Sequence, residues 1–405
     1  MSAGGTMSRI VIVGGGAAGL AIAETVRSEG FRGDLTLVGD EQHLPYDRPP
    51  LSKQVLSGAW GADRVVLRDS SHLDRLGLTL LRGTPAAGLD VDAREVVLAD
   101  ESRIGYDALA VTTGVSPRRL PGTEGLRGVH VLRSLDHALA LRDDLTPSAQ
   151  LVIVGAGVLG CEVAAVARGL GVGVTLVDPL PLPMSRIVGG EVSHLIAELH
   201  REHGVECCLG VGVRGLQETD GNVVGVELVD GRLLAADVVL VAIGSDPTID
   251  WLRGSTVGIG GRPSDEGAGG VLCAPDGRAA DGIYAAGDVA AWWSQDTRSH
   301  RRVEHRLNAG EQGSIVAKSM LGDSTDPVPA VPYFWSDQYA LKIQCYGLPM
   351  PDDEFEVVEG SLATRKFIGI HVREGAVAAV VGVGLPRQLR DWRTKVGQPM
   401  RAASA

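Results

Sequence analysis

The chain has 405 residues, 44% of them apolar, and its 38 basic and 50 acidic side chains leave a formal net charge of −12. That length fits two or three domains with several buried cores, and the acidic balance disfavours nucleic acid as a partner. No apolar run is long enough to span a bilayer, and the short polar start, Met1 to Ser8, lacks the apolar stretch of a signal peptide. Five scattered cysteines (Cys161, Cys207, Cys208, Cys273, Cys345) show no C-x-x-C spacing. They argue against a disulfide framework and a metal site, and suit a reducing cytoplasm.

The first organised stretch runs from Arg9 to Leu20. An apolar, β-branched strand leads into Gly14, Gly16 and Gly19, a G-x-G-x-x-G turn, and Ala21 to Arg27 reads as helix. The first glycine permits the tight turn and the second lets a pyrophosphate approach the backbone. The third brings the helix close to the strand, so that its N-terminal N–H groups face the phosphates. About twenty residues on, the strand Leu35–Val38 ends near Asp40, placed to accept the ribose hydroxyls of an adenine nucleotide. His43 to Lys53 then carries three prolines and reads as a rigid, non-helical loop up to Ser52, of a kind that closes over a cofactor. Lys53 would lie against the flavin or the pyrophosphate of such a cofactor, or be a surface lysine. Segments 78–81, 95–99 and 107–111 read as short strands, followed by Thr112–Thr113–Gly114 and a proline-marked linker near 116–120.

The opening pattern then returns. Gln150–Val154 leads into Gly155, Gly157 and Gly160, a helix runs from Cys161 to Gly169, and the strand Val174–Val177 ends in Asp178. An acid at that strand tip binds the ribose 2′-hydroxyl and repels a 2′-phosphate, which favours NAD over NADP, although Arg186 follows a few residues later. Two such units imply two dinucleotides. Val238–Gly244 reads as a buried strand returning to the first domain, and Gly282–Asp288 as strand, turn and acid before a helix from Asn308 to Leu321. Asp288 stands where a flavin's ribityl hydroxyl would be held. Beyond Pro327 aromatics concentrate in Tyr333–Phe334–Trp335 and Tyr339, and strand-like pieces at 341–346, 355–359, 366–372 and 376–382 suggest a small third domain.

Taken together, GGGAAG at 14–19, LPYDRPPLSK at 44–53, TTG at 112–114 and GAGVLGCE at 155–162 resemble the FAD-dependent, NADH-linked ferredoxin reductases of bacterial oxygenase systems. AIGSDP at 242–247, IYAAGD at 283–288, NAGEQ at 308–312 and FWSDQY at 334–339 continue the resemblance in the same order, over nearly the whole chain. It implies an α/β fold with two Rossmann-like dinucleotide-binding domains, glutathione-reductase-like, plus a small C-terminal α+β domain. The division expected is a discontinuous FAD domain at 1–117 and 245–325, an NAD domain at 118–244, and a C-terminal interface domain at 326–405. The resemblance also implies Gly14, Gly16, Ala17 and Gly19 at the FAD pyrophosphate and Asp40 at its ribose. Lys53 would lie near the isoalloxazine edge, with Arg133, Asp288 and Trp335 as further FAD contacts. On the nicotinamide side it implies Gly155, Gly157, Gly160, Glu162 and Asp178. Lys53, Glu162 and Trp335 are the catalytic candidates. This chain departs from the family's pattern at Glu304–His305–Arg306. Arg306 either stabilises the reduced flavin anion or points outward.

Within this wider family, disulfide reductases need a cysteine pair near the flavin, and several oxidases and coenzyme A disulfide reductases use one cysteine after the first acid-tipped strand. Here the loop Glu41 to Lys53 holds no cysteine, so the expected route is from NADH through FAD to an external one-electron carrier. The resemblance implies a [2Fe–2S] ferredoxin serving a monooxygenase or ring-hydroxylating dioxygenase. The alternatives are an NADH oxidase, a quinone or disulfide reductase of the same fold, and a flavoprotein whose main task is interaction. Arg298, Arg301 and Arg302, with Arg387, Arg390 and Arg393 as a second cluster, form either a docking patch for an acidic carrier or an ordinary solvated surface. No membrane partner is expected, and the protein is read as a monomer or weak homodimer.

Overall fold

The structure, a computed structural model, describes residues 7–261, 269–295, 297–323 and 331–400. The described residues fall into two compact units. One comprises the chain up to Asp47, Asp63–Ser116 and the described part of 245–330; the other comprises Arg48–Ala62, Pro117–Gly244 and the chain from Val331 on. Residues 48–62, grouped by sequence with the first glycine turn, therefore pack in the second unit. The expected boundary at 325–326 lies outside the described residues.

In the first unit a six-stranded sheet runs in the order Arg278–Ala280, Ile283–Ala285, Ala108–Val111, Arg9–Val13, Asp34–Val38, Leu78–Leu81. All neighbours are parallel except the first pair. The strand Arg9–Val13 is central, and its apolar run without polar alternation is what a strand covered on both faces requires. Ile10 and Ile12 pack with Ala18, Ile22 and Val26 of the helix Ala17–Ser28 and with Val316 and Ala317 of the helix Arg306–Met320. Val11 and Val13 face the opposite layer, with Val96, Leu98, Leu109 and Val111.

In the second unit a five-stranded, all-parallel sheet has the order Glu206–Leu209, Gly173–Asp178, Gln150–Val154, Val238–Val241, Val129–His130. Beside it lies a three-stranded antiparallel sheet, Val213–Thr219, Asn222–Leu228 and Leu233–Ala235, which supplies Val223, Val226 and Leu228 to the core over Val152, Val154 and Val239. The C-terminal part is a five-stranded antiparallel sheet ordered Tyr333–Gln338, Leu341–Gly347, Ala376–Val383, Lys366–Arg373, Glu354–Ser361, with the helix Pro386–Trp392 packed on it.

Several element boundaries differ from the sequence reading. The two nucleotide helices begin at Ala17 and Val158, four and three residues earlier than read, because the last part of each glycine turn is already helical. Pro49–Ser52 is a turn of 3₁₀ helix, not the non-helical loop expected. Pro49 and Pro50 stand at its first positions, where a missing N–H breaks no hydrogen bond. The aromatic stretch 333–338 is itself a strand.

Candidate functional site

The two glycine turns are built alike. Gly14 has φ +121° and a Cβ there would stand 2.1 Å from the Thr112 carbonyl oxygen; Gly155 has φ +112° and a Cβ would stand 2.3 Å from that of Ala242. Side chains at Gly19 and Gly160 would meet the carbonyl oxygens of Gly14 and Gly155 at 2.2 and 1.9 Å. The protein's own packing thus demands four of the six glycines. The middle ones are different: a Cβ on Gly16 or Gly157 meets nothing within 4 Å. Each caps a 12-residue helix that receives no side-chain cap hydrogen bond. Two helix N-termini with bare backbone donors and a glycine facing open space are cradles for anionic groups, and the diphosphates of FAD and of a pyridine nucleotide fit them.

The acids beside the two turns are not in equivalent register. Gly14 donates to the Val38 carbonyl and Gly155 to that of Val177, so Asp178 corresponds to Gly39, and Asp40 to Pro179. Asp40 lies exposed just beyond its strand. Asp178 is the last residue of its own strand, and its carboxylate accepts the backbone N–H groups of Ala156 at 2.7 Å and Leu180 at 2.8 Å.

The second unit gathers a buried polar cluster on the nucleotide helix. Glu162, 3% exposed, accepts hydrogen bonds from the Ser52 hydroxyl at 2.6 Å, the Lys53 ammonium at 2.7 Å and the Ser336 hydroxyl at 2.9 Å. Lys53 also donates to the Pro49 carbonyl at 3.2 Å. A buried ion pair needs such additional partners, since Coulomb attraction alone does not offset desolvation. Lys53 and Glu162, both catalytic candidates, are thus brought together. Trp335 is a neighbour of Ser336 on the strand Tyr333–Gln338, but alternation turns its ring to the other face, where it stacks on Tyr333 at 6.0 Å. Arg133 sits in the same unit, and its carbonyl accepts from Arg48 at 2.7 Å. Ser52 and Ser336 were not among the sequence candidates, although both lie inside LPYDRPPLSK and FWSDQY. Serines carry no recognisable spacing of their own.

In the first unit Arg306 opens the helix Arg306–Met320 and pairs with Asp47, each side chain about one-third exposed. It therefore does not simply point outward. Asp288 follows Gly287, whose N–H donates to the buried Gln312 side chain at 2.9 Å. Arg302 corrects the expectation of an exposed docking residue. Its side chain is 8% exposed, pairs with Glu304 and donates to the Asp288 carbonyl at 3.1 Å. The strand Ser299–Arg302 alternates, so Arg301 and Arg302 lie on opposite faces.

All five cysteines are free, and four of them are buried. Burial pushes the thiols of Cys161, Cys207, Cys208, Cys273 and Cys345 up from their ordinary value, the opposite of what a reactive thiolate needs. Among the described residues no helix is long and apolar enough to cross a membrane.

A chain with two strand–glycine turn–helix cradles, one carrying a buried Lys–Glu pair, is a protein built to hold two dinucleotides. It belongs to the pyridine nucleotide-disulphide oxidoreductase family, whose model matches residues 8–313, and a "Reductase C-terminal" model matches 333–405. It is 38% identical to rhodocoxin reductase of Rhodococcus erythropolis over 88% of this chain and 82% of that protein. It is 34% identical to putidaredoxin reductase CamA of Pseudomonas putida, over 93% and 89% of the two chains. Among solved structures, a chain of the covalent putidaredoxin reductase–putidaredoxin complex superposes with a TM-score of 0.90, at 32% identity, covering 96% of this chain and 93% of that one.

Proposed function

We propose that this protein is an NADH-dependent ferredoxin reductase, with FAD held by 1–117 and 245–325, NAD by 118–244, and residues 326–405 forming the interface domain. Bound flavin would accept hydride from the reduced nicotinamide and release the two electrons one at a time to a [2Fe–2S] ferredoxin that feeds an oxygenase. The protein's share is positioning and electrostatics. Gly14, Gly16, Ala17 and Gly19 with the helix Ala17–Ser28 receive the FAD diphosphate, and Asp40 its ribose. Lys53, Arg133, Asp288, Arg306 and Trp335 contact the rest of the flavin. Gly155, Gly157 and Gly160 receive the nicotinamide dinucleotide, and Glu162, fixed by Lys53 and two serines, orients the nicotinamide end. The fixed negative charge of Asp178 favours NADH over NADPH.

The observation that carries the reading is the similarity to ferredoxin reductases over both units, joined to the lack of any cysteine between Glu41 and Lys53. That lack weighs against a disulfide reductase, and the raised thiols elsewhere weigh the same way. The test is NADH consumption by the purified protein with and without a [2Fe–2S] ferredoxin coupled to cytochrome c. A many-fold stimulation by ferredoxin over the oxygen background is expected. Turnover with oxygen, quinone or a disulfide that several ferredoxins leave unchanged would overturn the reading in favour of an oxidase or a quinone or disulfide reductase.

A further inference from the structure

Glu162 stands at the end of a longer series of hydrogen bonds. Gln338, fully buried, presents its amide nitrogen to two groups: the Ser336 hydroxyl at 3.1 Å and the Met184 sulfur at 3.2 Å. A thioether only accepts, so the NH₂ must face that side and the amide oxygen must face the other. On that other side lies Nε2 of His200, 3.2 Å away, and an oxygen there requires that Nε2 carry the proton. His200 Nδ1 is then an acceptor, and the Tyr339 hydroxyl at 2.9 Å is its donor. At the far end the Ser336 hydroxyl receives the amide proton of Gln338, so its own proton is directed to the Glu162 carboxylate. Every bond in the series, from Tyr339 to Glu162, thus donates in one direction.

The surroundings hold that direction. His200 is fully buried on the helix Gly190–Glu202, and burial pulls its imidazole down to about 4, with nearby His203 adding to the effect. It is therefore neutral, with one proton and one lone pair to allocate. Tyr339 is held in place by the imidazole of His203, stacked on it at 3.7 Å and 19°. If the Gln338 amide were reversed, its oxygen would take the Ser336 proton and Glu162 would lose a donor. The Met184 sulfur, which has no proton to give, excludes that reversal, and the proton on His200 Nε2 supplies the donor that the amide oxygen needs on the other side.

We infer that His200 is a positioning residue for Glu162, acting through Gln338 and Ser336 so that the carboxylate keeps its third donor and a single orientation. The inference rests on the proposal that Glu162 orients the nicotinamide, and the hydrogen-bond partners of His200 are Tyr339 and Gln338, not the carboxylate. Neutral hydrogen bonds in such a chain polarise one another, so removal of one member weakens the bond at the end.

Two measurements test it on the FAD-loaded protein. The first is ¹⁵N NMR of histidine-labelled protein between pH 7 and 5. His200 is expected to keep a protonated Nε2 and an unprotonated Nδ1 throughout, and the Tyr339→Phe variant, which lacks only a hydroxyl, should shift the Nδ1 resonance toward that of a non-bonded nitrogen. A proton on Nδ1, or a charged imidazole at pH 6, would overturn the inference without touching the proposed function. The second is a double-mutant cycle in KM for NADH. Ser336→Ala and His200→Phe are each expected to raise KM roughly five- to tenfold, the scale of one ordinary net hydrogen bond. His200→Phe is expected to add nothing in the Ser336→Ala background. Independent, multiplying effects, or a lowered Tm with unchanged KM, would make His200 merely structural. Should His200→Phe not fold, Tyr339→Phe replaces it in the cycle with a smaller rise. Glu162→Gln separates the two ideas: if it leaves KM for NADH unchanged, the nicotinamide role of Glu162 fails, and the NMR result still decides the direction of the chain.

Discussion

The two glycine turns share a backbone and differ in how the acid beside each is held. In the first, Gly15 and Gly39 face each other with only their Cα atoms, and a Cβ on Gly15 would sit 3.8 Å from Gly39. In the second, the corresponding residues are Ala156 and Asp178, and the carboxylate closes the gap by accepting the Ala156 N–H. The first turn thus keeps its acid one residue farther out, exposed at Asp40, while the second locks its acid onto the loop. A third difference lies beneath the turns. Thr112 donates to the Gly14 and Val13 carbonyls at 2.9 and 3.0 Å, and Ala242 stands at its counterpart position without a hydroxyl. Small exchanges around one turn thus change what lies beside it, and the geometry of each acid is set by whether its neighbour has room for it.

The sharpest way to break this comparison is at the glycines. Gly14→Ala and Gly155→Ala are expected to abolish folding of their units, since both combine a positive φ with a Cβ inside a carbonyl's contact distance. Gly16→Ala and Gly157→Ala, which meet no protein atom, should fold with melting curves close to wild type. Gly16→Ala should be purified with little flavin, while Gly157→Ala should keep its flavin and bind NADH at least about tenfold more weakly. Flavin lost from Gly157→Ala instead would reverse the assignment of the two turns.

Next in size is the buried Lys53–Glu162 ion pair of the second unit. Lys53→Met leaves the Glu162 carboxylate buried with hydroxyl donors alone, and urea unfolding at pH 7 should register a loss of about 3–5 kcal/mol. Adding Glu162→Gln to Lys53→Met should recover a large part of it, because the buried charge is then gone. His200 gives a pH signature of similar size. Its imidazole takes up a proton at about 4 when folded and at the ordinary 6.5 when unfolded. Between those values the unfolded chain holds the extra proton, so this contribution to stability is complete above pH 6.5, falls as pH drops, and levels off below 4. It amounts to about 3 kcal/mol. His305 and His371, both pulled down mainly by burial, act in the same direction. The part due to His200 is the difference between wild type and His200→Phe, which should shrink by that amount from pH 6.5 to 4 in unfolding titrations.

Smaller effects concern recognition. Asp178→Asn removes the charge proposed to exclude a 2′-phosphate and should lower the ratio of NADH to NADPH kcat/KM about tenfold. If the ratio does not move, the locked carboxylate serves the loop alone. Smallest is Arg301→Glu, expected to slow ferredoxin reduction a few-fold at low salt, converging with wild type as salt rises, while NADH-to-dye activity is unchanged. Equal slowing of both would remove Arg301 from a docking surface. Arg302 is unsuitable for this test, because its buried guanidinium supports the Asp288 backbone.

Much of the architecture was legible in the chain itself. The apolar strand before each glycine turn, the spacing of the three glycines and the acid beyond the next strand are local patterns, and each follows from contacts within a few residues or from one βαβ unit. The three-stranded antiparallel sheet at 213–235 does not stand out in the sequence, because its strands are largely half-exposed and polar residues and glycines break the alternation of their apolar ones. The same holds for the 3₁₀ turn at Pro49–Ser52, where the prolines that argue against a helix are the residues that begin one. Lys53 and Glu162 were each identifiable as candidates, but nothing in the order of residues tells that Ser52 and Ser336 complete the cluster. Those contacts join positions 110 and 174 residues apart in the chain. The order of residues alone specifies two dinucleotide-type units and a loop after Asp40 without a redox cysteine. Folding in three dimensions is what ties Asp178 to its own glycine turn, buries the Arg302 side chain, and aligns His200, Gln338 and Ser336 as donors toward Glu162. The physical reason is that hydrogen-bond direction and desolvation are properties of neighbours in space, and these neighbours come from separate strands and helices.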